Sequence, residues 1–512
     1  MPANYLRGTS LLTFLFSILI RWCVSLFPYS GAGKPPMFGD YEAQRHWMEI
    51  THNLPSREWY FNTSNNDLQY WGLDYPPLTA YHSKLCGDIA ALINSDFVAL
   101  GSSRGYESNS HKLFMRATVL VADLLILFPA ICFYWRAFKR RTEERKGEGD
   151  DHQSQVNSSL VWRYLALLYP GLILIDHGHF QYNNISLGLV IAAVMCIVNN
   201  KNLTGSALFT LSLSYKQMSL YYALPFFFYL LGYALQRGIK SGIAYITLLG
   251  ATVLGTFSLI WAPFLTDIDQ FLQVLHRLFP LARGVFEDKV ANVWCAVNVV
   301  YKLRFIFSNE RMAQICLCTT ALSVLPSCIN IYLKPKQDKF ILALINSSLA
   351  FFLFSYQVHE KSILLVATPI LLYYPNDPLA CLWFLIISIF SMLPLLIKDG
   401  LIIPTISLTL FYLVSAHLMV NLFSFGRNKA SSKPQEKTFI SQIPFKKISF
   451  YLSLSGCAIL TFCTVAFKPP NHLPDLFPLL VSVYSCAHFC VFFIYFNYCQ
   501  LRTPSHPKLK KN

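Results

Sequence analysis

Apolar runs long enough to cross a bilayer recur along almost the whole chain, and they limit it to a polytopic membrane fold. A membrane helix needs about twenty mostly apolar residues. Charged residues make up 13% of this chain, against about 25% in soluble domains. We therefore predict an all-α membrane protein whose residues 1–512 form a single domain. About fourteen spans are expected, at 9–27, 115–137, 160–175, 184–199, 203–221, 223–236, 241–262, 312–333, 340–357, 363–374, 379–396, 402–424, 448–466 and 475–498.

The basic residues predict how the chain is oriented in the membrane. The net charge is +15, and the strongest basic runs lie at 139–146, 334–336 and 427–447. Cytoplasmic loops carry the excess of Lys and Arg, so these three loops and both termini are predicted to be cytosolic. The polar segments 28–112 and 263–310 then lie on the opposite side. No basic stripe with interleaved aromatic residues occurs outside the loops, which argues against nucleic-acid binding.

The first long polar segment, 28–112, is predicted to carry helices that do not span the membrane. Asp40–Leu54 is expected to form a helix that begins after Gly39. One face of that helix would present Ala43, Trp47, Ile50 and Leu54. Residues 82–100 contain short apolar groups broken by aspartates, which is typical of a helix lying at the membrane interface.

Asp40 is the candidate general base, because the start of a helix gives its carboxylate a defined position. An N-terminal helix cap is an equally good interpretation of the same residue. Asp74 precedes Tyr75-Pro76-Pro77 and is either held by this rigid turn for chemistry or simply a turn residue. The residues alone do not decide whether Asp74 or Glu42 shares the role of Asp40.

Several cationic or hydrogen-donating side chains are available to hold an anionic group. His177 and His179 lie in a predicted short loop, 176–183, and His359 and Lys361 follow a predicted span. Each histidine by itself is better explained as a buried ring satisfied by backbone. Because the predicted topology brings their loops to one face, we predict that together they form a phosphate site.

Other kinds of site find no support in the sequence. The chain contains no Gly-rich phosphate loop, no His-Glu-x-x-His pattern and no Gly-x-Ser-x-Gly nucleophile motif. Cys486-Ala-His488-Phe-Cys490 has some likeness to a metal cluster. Core thiols and a histidine in a hydrophobic helix are the favoured interpretation. We therefore predict no metal site.

Two short motifs bear on the compartment. Lys508 and Lys510 match a dilysine retrieval signal of the endoplasmic reticulum, although a solvated basic tail has the same composition. Asn62-Thr63-Ser64 is a glycosylation sequon in the segment predicted to be non-cytoplasmic.

Long runs of the chain carry a family resemblance. They are Ser30–Trp47, Leu68–His82, Ser103–Ser108, Asp176–Asn183 and Val358–Ser362. These runs resemble the endoplasmic-reticulum glucosyltransferases that use dolichyl-phosphate-glucose to extend the dolichol-linked oligosaccharide. Gly39-Asp40-Tyr41-Glu42 favours the member that adds the first glucose, because the second-glucose enzyme carries a Thr-Asp-Phe-Glu run at this place.

The resemblance implies a GT-C fold with a luminal active site under the first long loop. The donor would be dolichyl-phosphate-β-glucose, the acceptor Man9GlcNAc2-diphosphate-dolichol, and the catalytic aspartate Asp40. The residues predicted to bind substrate are Glu42, Arg45, Asp74, Tyr75, His177, His179, Gln181, Arg283, His359, Glu360 and Lys361. We expect a monomer in the endoplasmic-reticulum membrane that uses no metal or other cofactor.

A transporter or lipid flippase is the alternative from another class. Such a protein is expected to pair polar residues at the membrane midplane and to repeat its halves. Here the polar residues gather at one predicted interface and no repeat is visible, which favours an enzyme with a membrane-bound donor.

Overall fold

The computed structural model describes residues 3–146, 152–279, 289–430 and 443–502. Within these ranges the backbone is helical apart from turns and loops, and the single β-type pairing is an isolated bridge between Thr63 and Asn66. The predicted all-α polytopic fold is confirmed.

The α-helices are α1 (Ala3–Ser25), α2 (Gly39–Asn53), α3 (Pro77–Ile93), α4 (Asn109–Ala122), α5 (Phe128–Lys146), α6 (His152–Leu167), α7 (Pro170–Ile173), α8 (Asn183–Val198), α9 (Asn202–Tyr215), α10 (Ala223–Leu235), α11 (Ile239–Trp261), α12 (Ile268–Leu278), α13 (Val293–Val300), α14 (Leu303–Ile306), α15 (Asn309–Leu333), α16 (Gln337–Phe354), α17 (Ile363–Tyr373), α18 (Pro378–Ser391), α19 (Leu393–Lys398), α20 (Ile402–Ala430), α21 (Ile443–Ala466) and α22 (Leu476–Arg502). Two π-helical segments, Asp123–Leu127 and Leu174–Phe180, and short 3-10 turns connect some of them.

Nine helices in the described part of the chain are long and apolar enough to cross a membrane. Three further predicted spans coincide with the shorter apolar helices Leu11–Ser25, Asn183–Val198 and Pro378–Ser391. The predicted spans 203–221 and 363–374 correspond to α9 and α17, which have 14 and 11 residues. Both are shorter than the roughly twenty residues that a perpendicular crossing requires.

The burial of the spans indicates which of them face lipid. In the span Ile239–Phe264, 6% of the most apolar 18-residue stretch is buried inside the protein. In Ser159–Phe180 and Gln337–Phe354, the buried share of that stretch is 72%. An apolar helix with an exposed surface needs a bilayer to cover it, because only lipid removes that surface from water. Ile239–Phe264 therefore faces lipid, whereas the other two helices are mostly covered by protein.

The chain divides into two compact units. The first comprises Met1–Ser219, Leu248–Arg283 and Tyr374–Lys468. Local signals fix its helix starts: Pro77 is the first residue of α3, the Ser108 hydroxyl caps α4 by accepting from the His111 amide at 3.1 Å, and Asp377 caps α18. These residues satisfy or remove amide donors that a helix N-terminus leaves without partners.

The second unit comprises Leu220–Thr247, Gly284–Tyr373 and Pro469–Asn512. A buried amide cluster joins three of its helices. Gln500 of α22 accepts from Ser327 Oγ of α15 at 2.6 Å and from Asn346 Nδ2 of α16 at 2.7 Å. In an apolar interior such bonds hold helices in one register, because an unpaired amide is costly there.

The predicted helix at Asp40–Leu54 is confirmed as α2, and its face of Ala43, Trp47, Ile50 and Leu54 is buried. The predicted loop at 176–183 was wrong. Residues 174–180 continue as a π-helix, and only Gln181 and Tyr182 separate it from α8. The polar residues suggested a loop, but their side chains find partners inside the protein.

Candidate active site

A tight turn before α2 sets the position of Asp40. Gly31 and Gly39 have φ angles of 78° and 72°, a region that glycine adopts without strain. A Cβ on Gly31 would lie 1.8 Å from the carbonyl oxygen of Phe38, so the two ends of the turn touch. The Ser30 amide donates to the carbonyl of His179 at 3.0 Å, and the Asp40 amide donates to Ser30 Oγ at 3.3 Å.

One carboxylate oxygen of Asp40 has two donors. Its Oδ2 lies 2.9 Å from Nε2 of His179 and accepts from Nε2 of Gln181 at 2.6 Å. The other ring nitrogen of His179, Nδ1, lies 2.5 Å from Oδ2 of Asp399. The Asp40 side chain is 23% exposed, whereas those of His179 and Asp399 are each 3% exposed. Of these three side chains, Asp40 is the one most accessible to a substrate.

The π-helical segment Leu174–Phe180 explains why His179 and Gln181 point to the same carboxylate. Phe180 has a φ of 85°, which turns the chain before Gln181. The Asp176 carboxylate then accepts from the Asn184 amide at 2.7 Å and so satisfies the start of α8. π-bulges occur frequently at functional sites because they re-aim side chains within a helix.

A second polar cluster lies on α2 itself and is fully buried. Arg45 forms ion pairs with Glu42 at 2.6 Å and with Glu49 at 2.7 Å. Its Nη1 also donates to the hydroxyl of Ser103 at 2.5 Å. The three charged residues are at most 1% exposed. Glu42 and Arg45 were predicted to bind substrate; the structure places them in an ion-pair network next to Asp40, and their predicted role is not tested.

Burial and pairing oppose each other in setting the pKa of Glu49. Burial alone would raise it, but hydrogen bonds and charges from His46 and Arg45 lower it to about 2, with help from the Gly101 amide. Burial would likewise lower the pKa of Arg45, but Glu42 and Glu49 hold it above its ordinary value. Glu49 and Arg45 are therefore both charged at neutral pH.

A third cluster lies within the membrane helices. Arg21 of α1 and Asp123 form an ion pair of 2.7 Å, and His177 Nε2 lies 2.9 Å from the same oxygen of Asp123. Asn184 donates to the other Asp123 oxygen at 2.9 Å. His177 therefore pairs with Asp123 at membrane depth, whereas His179 of the same segment pairs with Asp40. The predicted substrate-binding role of His177 remains a prediction.

Tyr75 lies close to Lys216, which follows α9, and Asp74 contacts the next residue, Gln217. The Lys216 ammonium is 4.7 Å from the centre of the Tyr75 ring and donates to Asn183 Oδ1 at 2.5 Å. The backbone carbonyl of Asp74 accepts from the side chain of Gln217 at 3.1 Å. The predicted substrate-binding roles of Asp74 and Tyr75 remain predictions.

His359, Glu360 and Lys361 belong to the second unit. They lie at the 3-10 turn Glu360–Ser362 before α17, and all three are half-buried. Arg283 lies outside the described residues, as do Lys508 and Lys510. The structure therefore does not test the predictions for Arg283, Lys508 and Lys510, and the predicted roles of His359, Glu360 and Lys361 remain predictions.

Asp399 is a contact residue that the sequence analysis missed. It follows α19 as part of Lys398-Asp399-Gly400, at the end of a predicted span. The sequence feature that could have indicated Asp399 was the charged pair Lys398-Asp399 directly after an apolar run, because charges next to membrane helices often serve a site. Asp123 was missed in the same way, although it is a carboxylate inside a predicted span.

The Cys486–Cys490 stretch forms part of α22. His488 Nδ1 lies 2.8 Å from the carbonyl of Tyr484 one turn earlier. Within the ranges that the structure describes, no group of three or more His, Cys, Asp or Glu residues has a geometry that could hold a metal ion.

Fold and site together define an all-α polytopic membrane protein with a partly buried carboxylate held by an imidazole and an amide. The chain belongs to the ALG6, ALG8 glycosyltransferase family, whose sequence profile matches residues 17–495. It is 50% identical over 498 residues to the dolichyl pyrophosphate Man9GlcNAc2 alpha-1,3-glucosyltransferase of Gallus gallus, covering 95% of each chain. It is 48% identical over 495 residues to the protein of the same name from Mus musculus, covering 94% of each.

Proposed function

We propose that this protein transfers glucose from dolichyl-phosphate-β-glucose to Man9GlcNAc2-diphosphate-dolichol and forms an α-1,3 linkage. The observation that carries this proposal is the similarity along nearly the whole chain to proteins named for this transfer. The family resemblance supports this donor, and a lipid-linked donor suits a chain with many membrane-length helices.

The stereochemistry assigns one base to the reaction. A β-linked donor that gives an α-linked product requires a single in-line displacement at C1, with inversion. The acceptor hydroxyl must lose its proton as it attacks, and Asp40 is the general base. Its partly exposed carboxylate and its fixed position at the start of α2 support this role.

The leaving group explains why no second carboxylic acid is needed. Glycoside hydrolases use an acid to protonate a poor leaving oxygen. A dolichyl phosphate leaves as a stable anion and needs positive charge instead, which is worth a few kcal/mol per donor. We assign this charge to His359, Lys361 or Arg283 and propose that the reaction requires no metal.

The orientation and compartment belong to the same proposal. We place the protein as a monomer in the endoplasmic-reticulum membrane, with the Asp40 site luminal and both termini cytosolic. Asn62 is exposed and carries a sequon in the segment that would be luminal. An endoglycosidase-sensitive gel shift that Asn62→Gln abolishes would support this orientation.

The experiment is glucose transfer by purified, reconstituted protein in the presence of EDTA. It uses a short-chain dolichyl-phosphate-glucose with a Man9GlcNAc2 acceptor, and compares wild type with Asp40→Asn. Transfer by wild type and a loss of about a hundredfold or more in the folded variant are expected. A fully active Asp40→Asn protein would mean that Asp74 or Glu42, and not Asp40, is the general base. Transfer only to the monoglucosylated acceptor would assign the second-glucose reaction, and transfer abolished by EDTA would refute the metal-free mechanism.

A further inference from the structure

The imidazole of His179 bridges two carboxylates, one accessible and one buried. Its Nε2 lies 2.9 Å from Asp40 Oδ2 and its Nδ1 lies 2.5 Å from Asp399 Oδ2. Ionised carboxylates only accept hydrogen bonds, and a neutral imidazole has a single N–H. Both contacts are satisfied together when both ring nitrogens carry a proton, so the arrangement favours a charged His179.

Asp399 is linked to Asp40 indirectly, through the His179 ring that both carboxylates contact. The Asp399 and His179 side chains are each 3% exposed, while that of Asp40 is 23% exposed. A buried carboxylate on one side of an imidazole fixes the ring's orientation and proton content for the group on the other side. We propose that Asp399 is a positioning residue for glucose transfer, which keeps His179 protonated and aimed at Asp40. This inference rests on the proposed function, in which Asp40 is the base.

Charge balance gives Asp399 a second reason to be present. Arg116 of α4 is buried, donates to the Gly178 carbonyl at 2.9 Å and contributes a positive charge near Asp399. Lys34 donates to the carbonyl of Lys398 at 3.0 Å. The Asp399 carboxylate thus lies near two cationic groups, Arg116 and the His179 ring, whereas Lys34 contacts the neighbouring backbone. Without Asp399, the His179 ring loses the nearer of its two carboxylate partners.

The proton balance of the step is simple. The acceptor O–H bond breaks and its proton moves to the carboxylate of Asp40, while the new C1–O bond forms. The C1–O bond to phosphate breaks and its electron pair leaves with the dolichyl phosphate. Asp399 exchanges no proton with either substrate. Its part is to maintain the His179 N–H that holds Asp40 in position before the transfer.

The test is the pH dependence of kcat for Asp399→Asn in the reconstituted assay. We expect kcat to fall about ten- to a hundredfold, because a hydrogen bond to a charged group is lost, with KM little changed, because substrate contacts are retained. In the pH profile of kcat, the loss of activity on the alkaline side, the alkaline limb, is expected to occur about 1–3 pH units lower, because a neighbouring carboxylate no longer stabilises the imidazolium. Asp399→Glu keeps the charge and is expected to retain the wild-type limb.

Asp88→Asn is the matched control. Asp88 pairs with His52 Nδ1 at 2.7 Å in the same unit and is 46% exposed, so the substitution also removes a carboxylate from a histidine. It is expected to leave kcat and the pH profile unchanged. A wild-type kcat and pH profile in Asp399→Asn, or an equal shift in Asp88→Asn, would overturn the inference.

A second variant keeps the test decisive if Asp399→Asn does not fold. His179→Gln retains a donor toward Asp40 but has no titratable ring, so its kcat is expected to fall and its alkaline limb to disappear. An unchanged kcat in this variant would equally overturn the inference. Absence of transfer by wild type would instead refute the proposed function, so the two failures are distinguishable.

Discussion

Gln181 Nε2 lies 2.6 Å from Asp40 Oδ2, although the two residues are 141 positions apart in the chain. The amide donates a neutral hydrogen bond to the same oxygen that His179 contacts. This bond restrains the carboxylate and brings no additional charge to it.

Gln181→Leu is therefore expected to lower kcat about ten- to a hundredfold, because a hydrogen bond to a charged group contributes about 1.5–3 kcal/mol. Gln181→Glu is expected to shift the acid limb of kcat to higher pH, since adjacent carboxyls hold a proton more tightly. Steady-state transfer kinetics across pH measure both effects. Gln273→Leu removes another side-chain amide in this unit, one that donates to Tyr60 at 2.8 Å, and should leave the kinetics unchanged.

The turn before α2 allows a sharper comparison between two glycines. A Cβ at Gly31 would lie 1.8 Å from the Phe38 carbonyl oxygen, whereas a Cβ at Gly33 meets nothing within 4 Å. Both glycines have positive φ, at 78° and 63°. Gly33→Ala is expected to cost about 1–2 kcal/mol of backbone strain and to keep kcat. Gly31→Ala adds a clash that opens the turn, so both kcat and the thermal midpoint should fall further. Equal effects of the two substitutions would contradict this account of the turn.

The sequence predicted the helix that carries Asp40 because its apolar spacing and its preceding glycine are local signals. Ala43, Trp47, Ile50 and Leu54 repeat at helical intervals, and the structure buries all four. Most membrane spans were predictable for the same reason, since length and apolar composition are local properties. The predicted span at 203–221 was too long, because α9 ends at Tyr215 and apolar content alone does not show where a helix ends.

The partners of Asp40 could not be predicted in this way. The ring of His179 connects Asp40 with Asp399, which lies 220 positions from His179. Such contacts depend on tertiary packing, and no local pattern encodes them. The stretch around Asp176 was predicted as a loop because its residues are polar. The Asp176 carboxylate instead accepts hydrogen bonds from the Asn183 side chain and the Asn184 backbone amide inside the protein.

Acid is expected to destabilise the α2 cluster through Glu49. The pKa of Glu49 is lowered from its ordinary value of 4.5 to about 2, so the ionised form stabilises the fold. This stabilisation is fully present above about pH 5 and is lost as pH falls toward about 2; its size at neutral pH is about 3 kcal/mol. Glu49→Gln is therefore expected to lower stability most at about pH 7, and the difference from wild type should shrink toward about pH 3.

Thermal unfolding of the detergent-solubilised protein at several pH values measures this difference. Glu310→Gln changes an exposed glutamate in the first turn of α15 and is expected to shift stability by less than about 0.5 kcal/mol at any of these pH values. A wild-type-minus-Glu49→Gln difference that stays constant from about pH 7 to about pH 3 would show that the Glu49 carboxylate does not carry the effect.

The ion pair of Arg21 and Asp123 is expected to be the most sensitive charge pair in the membrane region. Both side chains are at most 1% exposed and their atoms are 2.7 Å apart. Arg21→Met leaves Asp123 buried without its cation, which costs about 3–5 kcal/mol. In Arg21→Met/Asp123→Asn no charge is left uncompensated, so the double variant should be more stable than the sum of the single losses predicts.

Thermal midpoints of the two single variants and the double variant in one detergent complete this cycle. Arg57→Met removes an exposed arginine from the same unit and should change the midpoint little. His177 and Asn184 also contact Asp123, and the amide that Asp123→Asn introduces keeps hydrogen-bonding capacity toward both of them. Strictly additive losses would mean that Arg21 and Asp123 do not stabilise each other, and that other contacts of each residue hold these helices together.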